Sequence, residues 1–122
     1  MRVLVTGAAG FVGAATTHQL LSRGDDVVGI DNLNAYYDPK LKKDRIERLS
    51  SEDRFEFIQM DCADQDGMAN LFQNGNFDTV VHLAAQAGVR YSLKHPFAYL
   101  ESNLNGFLTV LEGCRHHDIK HL

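Results

Sequence analysis

Three glycines near the start of the chain have a spacing that suits the binding of a phosphate group. Gly7, Gly10 and Gly13 follow the apolar run RVLVT (2–6) and precede a stretch of helical periodicity. Gly7 permits a tight turn, Gly10 lets the backbone approach a diphosphate, and Gly13 lets the helix pack closely on a sheet. The N-terminus of that helix would then present free N–H groups to the diphosphate.

An acidic residue stands where the adenosine ribose of a dinucleotide is expected. Asp31 ends the second apolar run, eighteen residues after Gly13, and is followed by Asn32 and not by an arginine. A carboxylate here can accept hydrogen bonds from a ribose diol and would repel a 2′-phosphate, so the pattern favours NAD over NADP. The alternative is that the glycines only build a sharp turn and that Asp31 is a solvated acid.

The elements that must position these residues alternate between strands and helices. This order predicts an α/β fold, a Rossmann-like doubly wound parallel sheet truncated after about four strands, with residues 1–122 forming one domain. The predicted strands are 2–6, 26–30, 54–60 and 77–85. The predicted helices are 11–22, 39–49, 65–72 and 96–116, and the last has an apolar stripe of Leu100, Leu104, Phe107, Leu108 and Leu111.

Composition argues against several classes of partner. The chain has a net charge of −4, from 12 basic and 16 acidic residues, so neither nucleic acid nor a membrane surface is an expected partner. The one dense basic run, LKKDRIERL, alternates with acids and is interpreted as a solvated helix face. No signal peptide and no metal site are expected, and two cysteines without metal-like spacing favour a cytoplasmic location.

Five stretches of the sequence resemble the extended short-chain dehydrogenase/reductase family, with the glycine spacing GxxGxxG. They are TGAAGFVG, DNLN, MDCAD, HLAAQAGV and ESNLNGFLTVLEGCR. DNLNAYYDPKL and HLAAQAGVRYSLKHPFAY further resemble the nucleotide-sugar 4-epimerases that act on UDP-glucuronate. This resemblance implies an NAD-binding N-terminal portion of such an enzyme. The alternatives are a dehydratase or reductase of the same family, and a stand-alone non-catalytic nucleotide-binding domain.

The resemblance also implies a set of cofactor-binding residues. Asp31 and Asn32 would hold the adenosine ribose, while Asp61 and Cys62 would lie against the adenine. Leu83, Ala84 and Ala85 would pass under the cofactor, and Asn103 would lie deeper, near the sheet. The diphosphate would be held by Gly7, Gly10, Phe11, Val12 and Gly13.

The catalytic group of the family is expected to be absent. The family uses a tyrosine four residues before a lysine, placed beyond the fifth strand and past residue 122. Tyr36 and Lys40 have this spacing, but Pro39 and the Asp38 cap put Tyr36 before the helix and Lys40 inside it, so we reject the pair. His82 is interpreted as a packed histidine. The 122 residues are therefore expected to bind NAD and to catalyse nothing alone, with a nucleotide sugar bound only by a longer protein.

The end of the chain leads to a prediction about self-association. Ile119 to Leu122 resembles the start of a fifth strand, so the fourth strand would have a poorly covered edge. An apolar edge strand without proline is a template for pairing with another chain. We expect self-association through this edge or through the adjoining long helix.

Overall fold

A computed structural model describes all residues from 1 to 122. Its centre is a parallel sheet of four strands in the order β3-β2-β1-β4. The strands are β1 (Arg2–Thr6), β2 (Asp26–Asp31), β3 (Phe55–Gln59) and β4 (Thr79–His82). The predicted Rossmann-like α/β class is confirmed.

The helices follow the predicted order, with one irregularity. They are α1 (Phe11–Ser22), α2 (Pro39–Leu49), α3 (Gln65–Gly75), α4 (Pro96–Tyr99) and α5 (Gly106–His116). Between α4 and α5 the chain forms a π-helix, Leu100–Asn105, here called the π segment, so the predicted uninterrupted helix over 96–116 was wrong at this point. Apolar spacing could not reveal the wider turn, because one extra residue in a turn leaves most of the pattern intact.

Each face of the sheet carries its own apolar core. On one face α1 packs against β1 and β2 over a core of Val3, Val5, Ala8 and Val27. On the other face α3 and α5 cover a core of Leu4, Val28, Ile30, Cys62, Met68, Phe72, Phe77, Val80 and Val110. Because both faces are covered, the strands β1 and β2 read as nearly continuous apolar runs.

The apolar stripe predicted for the last helix does not face the core. Leu100, Leu104, Phe107, Leu108 and Leu111 are all between 39% and 60% exposed. The buried side of α5 consists instead of Gly106, Val110 and Gly113, and a Cβ at Gly113 would overlap the ring of Phe72 on α3. Small residues let the two helices approach closely, and the larger apolar side chains are left on the outer surface.

Strand β4 is shorter than predicted and its outer edge is partly covered. The strand ends at His82, and the next two amides, Leu83 N and Ala84 N, each donate to the Thr6 hydroxyl at 3.1 Å. On the outer edge, Val80 N donates to His121 O at 3.0 Å, and Thr79 pairs with His121 in parallel. Residues 119–122 therefore start to line this edge, as their sequence suggested.

We expect the 122-residue chain to self-associate through the outer surface of the π segment and α5, with a dissociation constant in roughly the micromolar range. The physical reason is the row of five exposed apolar side chains described above. Sedimentation velocity should show dimers or larger species that dissociate on dilution. The double variant Leu104→Lys/Leu108→Lys should be monomeric, whereas Ser51→Lys, at an exposed position elsewhere, should not. A wild-type chain that stays monomeric at 100-fold higher concentration contradicts this expectation.

Candidate functional site

The loop between β1 and α1 is built around backbone contacts that exclude side chains. Gly7 has a φ of +70°, and a Cβ there would lie 2.8 Å from Ala84 N. A Cβ at Gly13 would overlap the carbonyl oxygen of Gly7, which also accepts a hydrogen bond from Gly10 N at 2.9 Å. The first turn of α1 is thereby held directly against the end of β1.

The N-terminus of α1 offers hydrogen-bond donors that the protein itself does not use. Its N-cap, Gly10, has no side chain to accept from the helix, and the first turn contains no acidic residue. The amides of Phe11, Val12 and Gly13 donate to no protein acceptor, and the first intrahelical bond is from Ala14 N to Gly10 O. Such a terminus suits an anion, because the free N–H groups and the helix dipole act together.

A cavity of about 410 Å³ lies beside this terminus, at the carboxyl ends of the strands. Ten of the thirteen predicted site residues line it: Gly7, Gly10, Phe11, Asp31, Asn32, Asp61, Cys62, Leu83, Ala84 and Ala85. Val12, Gly13 and Asn103 do not line it. Gly13 is buried behind the loop, and Val12 points into solvent with 59% of its surface exposed.

Asp31 is buried at the cavity wall and is already engaged in several interactions. One carboxylate oxygen, Oδ1, accepts from Leu33 N at 2.8 Å and lies 3.3 Å from the Lys42 ammonium. The other, Oδ2, accepts from Ala9 N at 3.2 Å. The side chain is only 5% exposed, so these donors replace most of its water.

The predicted adenine-side residues are joined to the loop after β2. Asn32 Nδ2 donates to Asp61 Oδ2 at 3.0 Å, and Asp61 Oδ1 accepts from Ala63 N at 2.9 Å. Burial, together with the Asp61 carboxylate, raises the pKa of the neighbouring Cys62 thiol to about 12. Cys62 is therefore a small neutral side chain of the wall and not a nucleophile.

Thr6 organises the chain below the cavity. Its buried hydroxyl accepts from Leu83 N and Ala84 N, and its oxygen lies 2.7 Å from His82 Nδ1. With both amides bound, the hydroxyl proton is available to a neutral His82, whose ring stacks on Phe107. Burial lowers the pKa of His82, which fits its interpretation as a packed histidine.

Asn103 does not line the cavity itself but contacts Gln86, which does. Its amide makes two hydrogen bonds to the main chain of Gln86, accepting from N at 2.8 Å and donating to O at 3.1 Å. Gln86 lines the cavity, and Asn103 lies in the π segment. The half-buried Asn103 thus fixes the loop after β4 through these two hydrogen bonds.

Two basic residues of α2 line the cavity although the sequence did not single them out. The interpretation of LKKDRIERL as a solvated face was wrong for Lys42, which is 7% exposed. Arg45 Nη1 donates to Ala9 O at 3.0 Å and to Tyr37 Oη at 2.9 Å. Helical spacing could have predicted the burial of Lys42. It lies seven residues before the buried Leu49 and therefore on the same face of α2.

The remaining sequence candidates gain no catalytic geometry. Lys40 lies in the first turn of α2, where its amide donates to the Asp38 side chain and its ammonium pairs with Asp44, whereas Tyr36 precedes the helix. No group of three or more His, Cys, Asp or Glu side chains is arranged to hold a metal ion. None of the helices is both long enough and apolar enough to span a bilayer.

The parallel sheet, the glycine loop and the cavity at the strand ends define a Rossmann-like α/β domain. A family model described as GDP-mannose 4,6 dehydratase matches residues 4–121. The chain belongs to that family, and the resemblance to extended short-chain dehydrogenases/reductases is confirmed.

Individual relatives are similar over almost the whole chain. An uncharacterized 37.6 kDa protein of Escherichia coli O111:H- is 52% identical over 122 residues, which are 100% of this chain and 36% of that protein. UDP-glucuronate 4-epimerase 1 of Arabidopsis thaliana is 50% identical over 113 residues, which are 93% of this chain and 26% of that protein.

Among solved structures, the UDP-glucuronic acid 4-epimerase of Bacillus cereus, in complex with UDP-glucuronic acid and NAD, has a TM-score of 0.87 and 39% sequence identity. The match covers 99% of this chain and 38% of that one. The chain thus spans between 26% and 38% of the length of these three proteins.

The raised pKa of Cys62 predicts a thiol that resists alkylation. At pH 8 it should contain on the order of a thousandfold less thiolate than an ordinary cysteine. In the Cys114→Ser variant, Cys62 is the only thiol, and its reaction with iodoacetamide should be slower than that of free cysteine by at least about a hundredfold. In 6 M guanidinium chloride the two rates should become similar. Fast alkylation of the folded variant would show that Cys62 is accessible and ionised.

The lowered pKa of His82 predicts a loss of stability in acid. The folded state favours the neutral ring, so its contribution is complete above the ordinary histidine pKa of about 6.5 and is lost as the pH falls below it. Urea unfolding between pH 7.5 and 5 should show the wild-type free energy of unfolding falling more steeply than that of His82→Gln. Equal slopes for the two proteins contradict this assignment.

Proposed function

We propose that the chain binds NAD and forms the NAD-binding portion of a nucleotide-sugar 4-epimerase acting on UDP-glucuronate or a related UDP-sugar. The observation that carries the proposal is the uncapped N-terminus of α1, where three amides have no protein acceptor and where Gly10 and Phe11 line a cavity also lined by Asp31. The glycines fit a diphosphate, because a side chain at Gly10 would occupy the space next to those amides.

Each part of the cofactor has chain residues suited to it. The diphosphate would be held by the amides of Phe11, Val12 and Gly13, and the adenosine ribose by Asp31. The adenine would lie near Asn32, Asp61 and Cys62. Leu83, Ala84 and Ala85 would form the floor below the nicotinamide half, and Asn103 would hold that floor in position through Gln86.

The relatives support the reaction class. The Arabidopsis relative is named UDP-glucuronate 4-epimerase 1, and the Bacillus cereus enzyme was solved with UDP-glucuronic acid and NAD. Bound in such an enzyme, NAD would supply the hydride chemistry at C4 of the sugar, with removal of the hydride from one face and its return to the other. This chain's residues would bind and orient the cofactor, whereas the proton-transfer tyrosine and lysine would lie in a longer protein.

A second candidate is a nucleotide-sugar dehydratase or reductase of the same family. The description of the matching family model, GDP-mannose 4,6 dehydratase, favours it. Product analysis with a full-length protein separates the two, because an epimerase returns an isomer of its substrate whereas a dehydratase releases water. If the chain is instead a stand-alone nucleotide-binding domain, it should bind NAD, and neither this chain nor a longer form of the protein should convert a UDP-sugar.

Calorimetric titration of the chain tests cofactor binding. NAD should bind at least about tenfold more tightly than NADP, because the 2′-phosphate would face the Asp31 carboxylate. Gly10→Ala should weaken NAD binding by about tenfold or more. The φ at Gly10 is −71° and suits alanine, but the new Cβ would lie 3.1 Å from the Gly7 carbonyl oxygen, so thermal unfolding of the variant should be measured alongside and should show that the fold persists.

The matched control for this variant is Gln19→Ala, an exposed substitution on the same helix, which should leave NAD binding unchanged. Equal affinity for NAD and NADP would argue against the role of Asp31. Undiminished binding by Gly10→Ala would argue against the placement of the diphosphate.

A further inference from the structure

Lys42 is a buried cation at the wall of the cavity. Its ammonium lies 3.3 Å from Asp31 Oδ1 and 3.2 Å from Asn34 Oδ1, and its side chain is 8% exposed. Burying an ammonium group is costly unless it is paired and hydrogen-bonded, and most lysines on helices reach water with their charged end. The position of Lys42 is therefore imposed by its two acceptors, Asp31 at the end of β2 and Asn34 in the loop that follows.

The acceptor capacity of Asp31 is almost used up. A carboxylate has about four acceptor sites, two on each oxygen. Oδ1 already serves Leu33 N and Lys42 Nζ, and Oδ2 already serves Ala9 N. One site is left, on Oδ2. A ribose diol has two hydroxyl groups, and Asp31 in this arrangement can accept from only one of them.

Lys42, in contrast, has one more hydrogen-bond donor than the protein has oxygen acceptors for it. An ammonium group has three N–H donors, and the protein supplies oxygen acceptors for two of them, while the face of the Tyr37 ring lies 5.2 Å from Nζ. Lys42, Asp31 and Asn34 all line the cavity. A donor without an oxygen acceptor thus stands next to a carboxylate that has a single free acceptor site.

We propose that Asp31 and Lys42 recognise the adenosine ribose as a pair, one hydroxyl donating to Asp31 Oδ2 and the other accepting from Lys42 Nζ. This inference rests on the proposed binding of NAD and adds a second residue that determines ribose recognition.

A double-mutant cycle, in which removal of a ribose hydroxyl is combined with substitution of Lys42, tests the pair. Calorimetry would compare NAD with its 2′-deoxy and 3′-deoxy adenosine analogues on the wild-type chain and on Lys42→Met. On the wild-type chain, loss of the hydroxyl that meets Lys42 should weaken binding by roughly tenfold. On Lys42→Met the same deletion should change affinity by less than about twofold, because its partner is already gone.

Two further variants make the result specific. Lys40→Met, which removes an exposed lysine paired only with Asp44, should bind all three ligands as the wild type does. Lys42→Gln has a side chain one atom shorter and should lose the dependence on the hydroxyl in the same way. It replaces Lys42→Met in the cycle if thermal unfolding shows that the methionine variant does not fold.

The outcomes separate this inference from the proposed function. If Lys42 variants weaken NAD and both deoxy analogues by the same factor, Lys42 only supports the loop, and the inference is overturned while NAD binding stands. If the wild-type chain binds no NAD, the proposed function fails first. If one hydroxyl loses its contribution only in the Lys42 variants, the pair is established.

Discussion

The contact between Gly7 and Gly13 is the constraint on which the rest of the structure depends. A Cβ at Gly13 would overlap the Gly7 carbonyl, and a Cβ at Gly7 would crowd Ala84 N, so no side chain can enter between β1, α1 and the end of β4. This closeness holds the first turn of α1 against the end of β1. It also leaves room for a cavity, because the loop itself occupies so little volume.

The position of the cavity follows from the topology. Strand β1 lies between β2 and β4, and the chain leaves β1 toward α1 on one face but leaves β4 toward the helices of the other face. A crevice opens where connections diverge in this way, at the carboxyl ends of the strands. Asp31 at the end of β2 and the residues after β4 reach the crevice from opposite sides. The hydroxyl of Thr6 ties the β4 side to β1, and Asn103 ties the following residues to the π segment.

The sequence predicted well what depends on local chemistry. Glycine spacing, strand hydrophobicity and the Asp38 cap are local signals, and the elements that they predicted are present. The sequence predicted poorly which face of each helix is turned toward the core. Lys42 belonged to a run of alternating charges, yet the buried Leu49 turns that face of α2 inward. Leu104 and Leu108 had core-like spacing, yet Gly106, Val110 and Gly113 form the buried side of α5, and a side chain at Gly113 would overlap Phe72 on α3.

The central claim is that a diphosphate lies against bare main chain at the start of α1. The most direct test is a ¹H–¹⁵N correlation spectrum of the labelled chain recorded during addition of NAD. We expect the amides of Gly10, Phe11, Val12 and Gly13 to shift most and to saturate together with the Asp31 amide. Shifts confined to other parts of the chain, with these amides unchanged at saturation, would contradict it.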